Sequence, residues 1–144
     1  MKKKLLLTFI ILLVLILIIF FVLKLQPKSN PIQINTNNID QNYTLKNGEF
    51  EIVKDTNGGV PYIWKLEVTN NKIKSVGKYS KELYPEKQLA GGPVEEHYIF
   101  KGVEPGETII TFKYVSVTDD SVNKIEKYKV TIDNNLNSTV SSVK

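Results

Sequence analysis

The chain has 144 residues and a formal net charge of +4, with no cysteine, one histidine (His97), and lysine as its only basic residue type. This composition excludes disulfides, thiolate metal sites, a cysteine nucleophile, a histidine-cluster metal centre and a bidentate guanidinium clamp on phosphate or carboxylate. Lys2, Lys3, Lys4 and Lys24 flank the first apolar run, and the other lysines balance all 15 acids, so the remainder is formally neutral and a poor match for a nucleic-acid polyanion.

The first predicted element is that run, residues 5–23, LLLTFIILLVLILIIFFVL, interrupted only by Thr8. A helix of this length spans roughly 30 Å, the hydrocarbon thickness of a bilayer. The apolar core is longer than that of a secretory signal, and KLQPKSN after it offers no small-x-small cleavage pattern. Residues 1–24 therefore read as an uncleaved single-pass signal anchor in the cell membrane, the alternative being a cleaved signal peptide that leaves the domain secreted. Three lysines before the run against one after it predict the rest of the chain on the extracytoplasmic side. The Asn- and Lys-rich, Arg-free composition suggests an AT-rich bacterial genome.

Residues 25–41, rich in Asn, Gln, Pro and Ser, read as a polar linker, and residues 134–144, NNLNSTVSSVK, read as a flexible C-terminal tail. Between them, residues 42–133 are dominated by period-2 patterning. Phe50 and Ile52 share a face. So do Tyr62, Trp64, Leu66 and Val68, then Tyr98 and Phe100, then Ile110, Phe112 and Tyr114, and finally Tyr128, Val130 and Ile132. Turn signals separate these runs at Asn47-Gly48, Gly58-Gly59, Asn70-Asn71, Gly91-Gly92-Pro93 and Glu104-Pro105-Gly106. Six to eight short strands, each with one apolar face, predict an all-β, immunoglobulin-like antiparallel β-sandwich.

Catalytic readings fail on the residues present. His97 lies in an apparent strand beside Tyr98-Ile99-Phe100, with no nucleophile-elbow motif in the chain, and reads as an exposed strand histidine. Glu95 and Glu96 are adjacent in that strand, so they point to opposite faces and cannot flank one bond. Asp119-Asp120 reads as a solvated turn. Gly58-Gly59 lacks the lysine and the following helix of a phosphate loop. The chain is read as a non-enzyme that needs no cofactor.

The order of these landmarks resembles the chagasin-type inhibitors (inhibitor family I42) of papain-like cysteine proteases. That family's first signature is Asn-Pro-Thr-Thr-Gly followed by an aromatic, a spacer residue and Trp. In NGGVPYIW, Asn57, Tyr62 and Trp64 fall at matching spacing. KNGEFEI is similar to the Gly-Glu and alternating strand upstream, VGKYSKELYPEKQLAGGPVEEHYIF to the Tyr-x-x-Pro run, Gly-Gly loop and aromatic strand, and GVEPGETIITFKYV to the next turn and strand. The likeness covers roughly residues 40–133. Gly58, Gly59, Val60 and Pro61 stand in place of Pro-Thr-Thr-Gly, and Ser116-Val117-Thr118 stand where the family often has Arg-Pro-Trp.

The resemblance implies an inhibitor that fills a protease cleft with three loops at one end of the sandwich. Carried over position by position, the implied contact residues are Thr56, Asn57, Gly58, Gly59, Val60, Pro61 and Tyr62, then Ala90, Gly91, Gly92 and Pro93, then Val115, Ser116 and Val117. The implied partner is a papain-like cysteine protease. Because a fold hosts many functions, a second reading stands beside it: a non-inhibitory immunoglobulin-like module of the bacterial envelope that binds another cell-surface protein.

Overall fold

The computed structural model describes residues 12–17, 31–87 and 90–143. Eight strands follow in chain order: β1 (Ile32–Gln33), β2 (Glu49–Asn57), β3 (Tyr62–Val68), β4 (Ile73–Glu82), β5 (Pro93–Gly102), β6 (Gly106–Ser116), β7 (Val122–Ile132) and β8 (Ser138–Val143). A 3-10 turn, Pro85–Lys87, lies between β4 and β5. All strand pairings are antiparallel. They build a five-stranded sheet in the order β1-β3-β6-β7-β8 and a three-stranded sheet in the order β2-β5-β4.

The apolar faces read from the sequence meet between these sheets. Phe50, Ile52, Tyr98 and Phe100 from the smaller sheet pack with Leu66, Val68, Ile110, Phe112, Val130 and Ile132 from the larger one, and Ile73 joins them. Each fully buried side chain of this kind contributes about 1.5–3 kcal/mol, so the alternation is the main source of stability. Aromatic edges bridge the layers: the Tyr98 ring meets Phe112 at 5.0 Å in a T-shaped contact. Burial, first, and then the hydrogen bond to Glu96 push the Tyr98 hydroxyl far above the ordinary phenol range, so it remains a proton donor.

Three expectations are corrected. The 25–41 linker is in part docked. Ile32 and Gln33 pair with Val68 and Glu67, Ile34 packs on the core, and Asn38 bridges to Lys78. Main-chain bonds from Ile39 N to Lys78 O (2.8 Å) and Lys78 N to Asn37 O (2.7 Å) pin this strap to the edge of β4. The 134–144 tail contains β8, which pairs with β7 while Leu136 and Val140 pack on the core. Main-chain pairing recruits both segments, and it leaves little trace in side-chain composition. His97 is buried, not exposed. Its ring stacks on Tyr79 at 4.4 Å, and Nδ1 lies 2.8 Å from the Glu51 carboxylate.

Residues 12–17 are helical; the rest of the predicted 5–23 span lies outside the described residues. Among the described residues no helix is long and apolar enough to cross a membrane.

Candidate functional site: one edge made of three loops

The register brings three connections to one end of the sandwich. Asn57, the last residue of β2, pairs with Pro93, the first of β5, so the β2–β3 loop and the end of the β4–β5 loop lie side by side. Tyr62, the first residue of β3, pairs with Ser116, the last of β6, which places the β6–β7 loop on the other flank.

Main-chain hydrogen bonds then join the three loops. Gly58 N donates to Gly92 O at 3.2 Å, and Val117 N donates to Pro61 O at 2.9 Å. The central loop is shaped by Asn57, whose side-chain oxygen accepts from Gly59 N at 2.8 Å and whose carbonyl accepts from Val60 N at 3.2 Å. Such an Asx turn folds the chain locally without help from a core. The β6–β7 loop is held by Ser116 N donating to Ser121 O and by the Asp119 carboxylate, which accepts from both the backbone and the hydroxyl of Ser121. Hydrogen bonds from the Ser121 hydroxyl, then the Ser116 hydroxyl, keep the Asp119 carboxyl below its ordinary range.

Of the predicted contact residues, Asn57, Gly58, Gly59, Val60, Pro61, Ala90, Gly91 and Val117 are exposed along this edge. Thr56, Gly92 and Pro93 are half-buried. Tyr62 is also half-buried and stacks on Tyr114 at 5.2 Å, so it supports the edge from below. Val115 and Ser116 differ from expectation, being buried at 3% and 6% exposure. Both still belong to β6: Ser116, paired with Tyr62, continues the inward series Ile110, Phe112, Tyr114, while Val115, paired with Ile63, lies on the opposite face.

Two neighbours of the edge were not singled out from the sequence as site residues. Tyr84, 47% exposed, lines a cleft of about 220 Å³ with Gly58, Glu82, Gly91, Gly92, Pro93 and Val94. An exposed aromatic followed by proline in a turn was the available signal. Lys54 lies buried beneath the edge; the signal was a lysine continuing the inward series Phe50, Ile52.

The carboxylates and the histidine make no catalytic constellation. Glu96 faces Lys78 and Tyr98 between the sheets, whereas Glu95 lies 3.4 Å from His97 Nε2 on the outer face. The His97 ring lies against the Glu51 and Glu95 carboxylates and the Tyr79 ring, and among the described residues no serine or threonine hydroxyl is hydrogen-bonded to it.

This arrangement of loops on a sandwich agrees with the sequence comparison. The family model for the chagasin family peptidase inhibitor I42 matches residues 44–132. The chain belongs to the chagasin family. Chagasin-family inhibitors bind papain-like cysteine proteases, so this member is a cysteine protease inhibitor and not an enzyme. Among solved structures, the crystal structure of a cysteine protease inhibitor from Entamoeba histolytica is similar at 20% identity and a TM-score of 0.52, covering 59% of this chain and 78% of that one. That likeness shows a shared chagasin-like sandwich. No curated protein sequence matches the chain. The strap that carries β1, and β8 at the other end, both lie outside the matched residues.

Proposed function

We propose that the three-loop edge blocks the active-site cleft of papain-like cysteine proteases, and that the N-terminal segment holds the domain on the outer side of a cell membrane. The observation that carries the first part is the pair of main-chain bonds, Gly58 N to Gly92 O and Val117 N to Pro61 O, that makes one continuous edge from three loops. A preformed edge loses little conformational entropy on docking. Gly58, Gly59 and Gly91 leave no Cβ between the two loops, so the loops pack backbone to backbone and hold the edge together. No bond is made or broken, so the inhibitor needs no nucleophile.

The apolar run at residues 5–23 and its lysine flanks support the membrane anchor. The chain also enters the sandwich at the far end, where Ile32 pairs with Val68, while the loops project from the opposite end beside Tyr62. An anchored domain would thus point its loop edge away from the bilayer. A second reading, a binding module for another envelope protein, draws on the changed loop chemistry: exposed Val60 and Val117 occupy positions where the family pattern differs.

The full-length chain, purified in detergent, is expected to slow papain reversibly and to remain uncleaved. Absence of inhibition at high micromolar concentration across several papain-like proteases would remove the inhibitory reading and leave the second. Resistance to alkaline carbonate extraction from membranes, lost on deletion of residues 1–24, tests the anchor separately.

A further inference from the structure

Lys54 continues the inward series Phe50, Ile52 on β2 and is only 5% exposed. Its ammonium crosses between the sheets to β7, donating to the Glu126 carboxylate and to the Tyr128 hydroxyl, the latter at 2.8 Å. It also lies 4.9 Å from the Trp64 ring, 5.0 Å from Tyr128 and 5.4 Å from Phe112, an aromatic cage suited to a cation. Glu126 is completed by Lys124 at 2.5 Å and by the Tyr128 hydroxyl at 2.8 Å. A second contact crosses in the opposite sense: Trp64 Nε1 on β3 donates at 3.0 Å to the carbonyl of Asp55, the residue after Lys54.

Stability alone does not account for this cluster. An apolar side chain of similar volume in place of a buried ion pair is often neutral or stabilising, because the desolvation of two charges is avoided. The ion cluster differs from an apolar filler in directionality. Apolar faces tolerate sliding, whereas a lysine with a fixed carboxylate, hydroxyl and ring around it allows one relative position of the two sheets. The contacts lie just below the edge: Lys54 is three residues before Asn57, and Trp64 is three after Pro61.

We infer that the Lys54–Glu126–Tyr128 cluster, with Trp64, is a positioning device that sets the three-stranded sheet against the five-stranded one, so that the β2–β3 and β6–β7 loops present one continuous edge. The inference rests on the inhibitory reading for its functional consequence and on the inter-sheet geometry for its structural one. Lys54 and Trp64 touch no part of the target; they act through Asp55 and the strands that carry the loops.

The test uses the full-length chain with Lys54→Met, and with Lys54→Met combined with Glu126→Leu, which removes the charge left behind. The expected result for the fold-retaining variant is a melting temperature within a few degrees of the parent. Ki for papain should rise about tenfold, mainly through faster dissociation. Amide hydrogen exchange at residues 58–60 and 117–121 should also quicken about tenfold, reporting a looser edge. A purely structural role would move the melting temperature and leave Ki and loop exchange in the folded variant unchanged, and that result overturns the inference. If the parent fails to inhibit papain, the inhibitory reading falls, and loop exchange alone decides the positioning claim: quicker exchange upholds it and parental exchange overturns it.

Discussion

A Cβ on Gly91 would stand 2.7 Å from the backbone nitrogen of Gly59, so the β4–β5 and β2–β3 loops meet backbone to backbone with no room for a side chain. Gly91 also holds φ at +69°, where other L-residues are strained. Gly91→Ala is therefore expected to push the two loops apart and to weaken papain inhibition about tenfold. The associated loss of stability should be about 1–3 kcal/mol, because only a surface loop is strained. Inhibition assays beside urea unfolding check this. Parental inhibition in a folded Gly91→Ala chain would mean that this pair of loops is not the contact.

The strap contributes stability without forming part of the edge. A Cβ on Gly77 would come within 2.5 Å of Ile39 Cγ2 and 2.9 Å of the Asn37 carbonyl, the segment that covers the edge of β4. Gly77→Ala should lift the strap and lower the unfolding free energy by about 1–3 kcal/mol, as overpacking commonly does. Papain inhibition should remain within about twofold of the parent. A matching collapse of inhibition would place the strap within the functional surface.

Acid should test the inter-sheet cluster. Burial pushes the Glu126 carboxyl up, but hydrogen bonds from Lys124, Lys54 and Tyr128 outweigh it and bring the group from its ordinary 4.5 to about 2. A carboxyl depressed in the folded state contributes stability that is fully present above pH 4.5 and is lost as pH falls toward about 2. The melting-temperature gap between the parent and Glu126→Gln should therefore be widest near neutral pH and narrow across that window. A gap that stays constant down to the lower limit would show that the carboxylate charge is not what the cluster uses.

The apolar strand faces were legible because burial between two sheets demands period-2 alternation. Phe50, Ile52, Leu66, Val68, Tyr98, Phe100, Ile110, Phe112, Val130 and Ile132 all reach the core from faces read in the sequence. β8, STVSSV, carries no comparable signal, since its exposed residues join β7 through main-chain bonds that any sequence without proline can make. His97 was misread because alternation puts it on the face opposite Tyr98 and Phe100, while the partners that cover it there, Tyr79 and Glu51, come from β4 and β2. Val115 and Ser116 were placed on the contact surface by spacing, whereas both still lie within β6, paired with Ile63 and Tyr62, and are buried there.

The sequence by itself determined the sandwich, its core faces, the family likeness and the exclusion of catalysis, because these depend on residue type and local period. Only the tertiary structure decided that three loops distant in sequence form one hydrogen-bonded edge. It likewise decided that the strap and β8 belong to the fold, and that Lys54 lies in a cage of rings and a carboxylate between the sheets. Those outcomes depend on register and on which strands become neighbours, and neither is written in the spacing of any single segment.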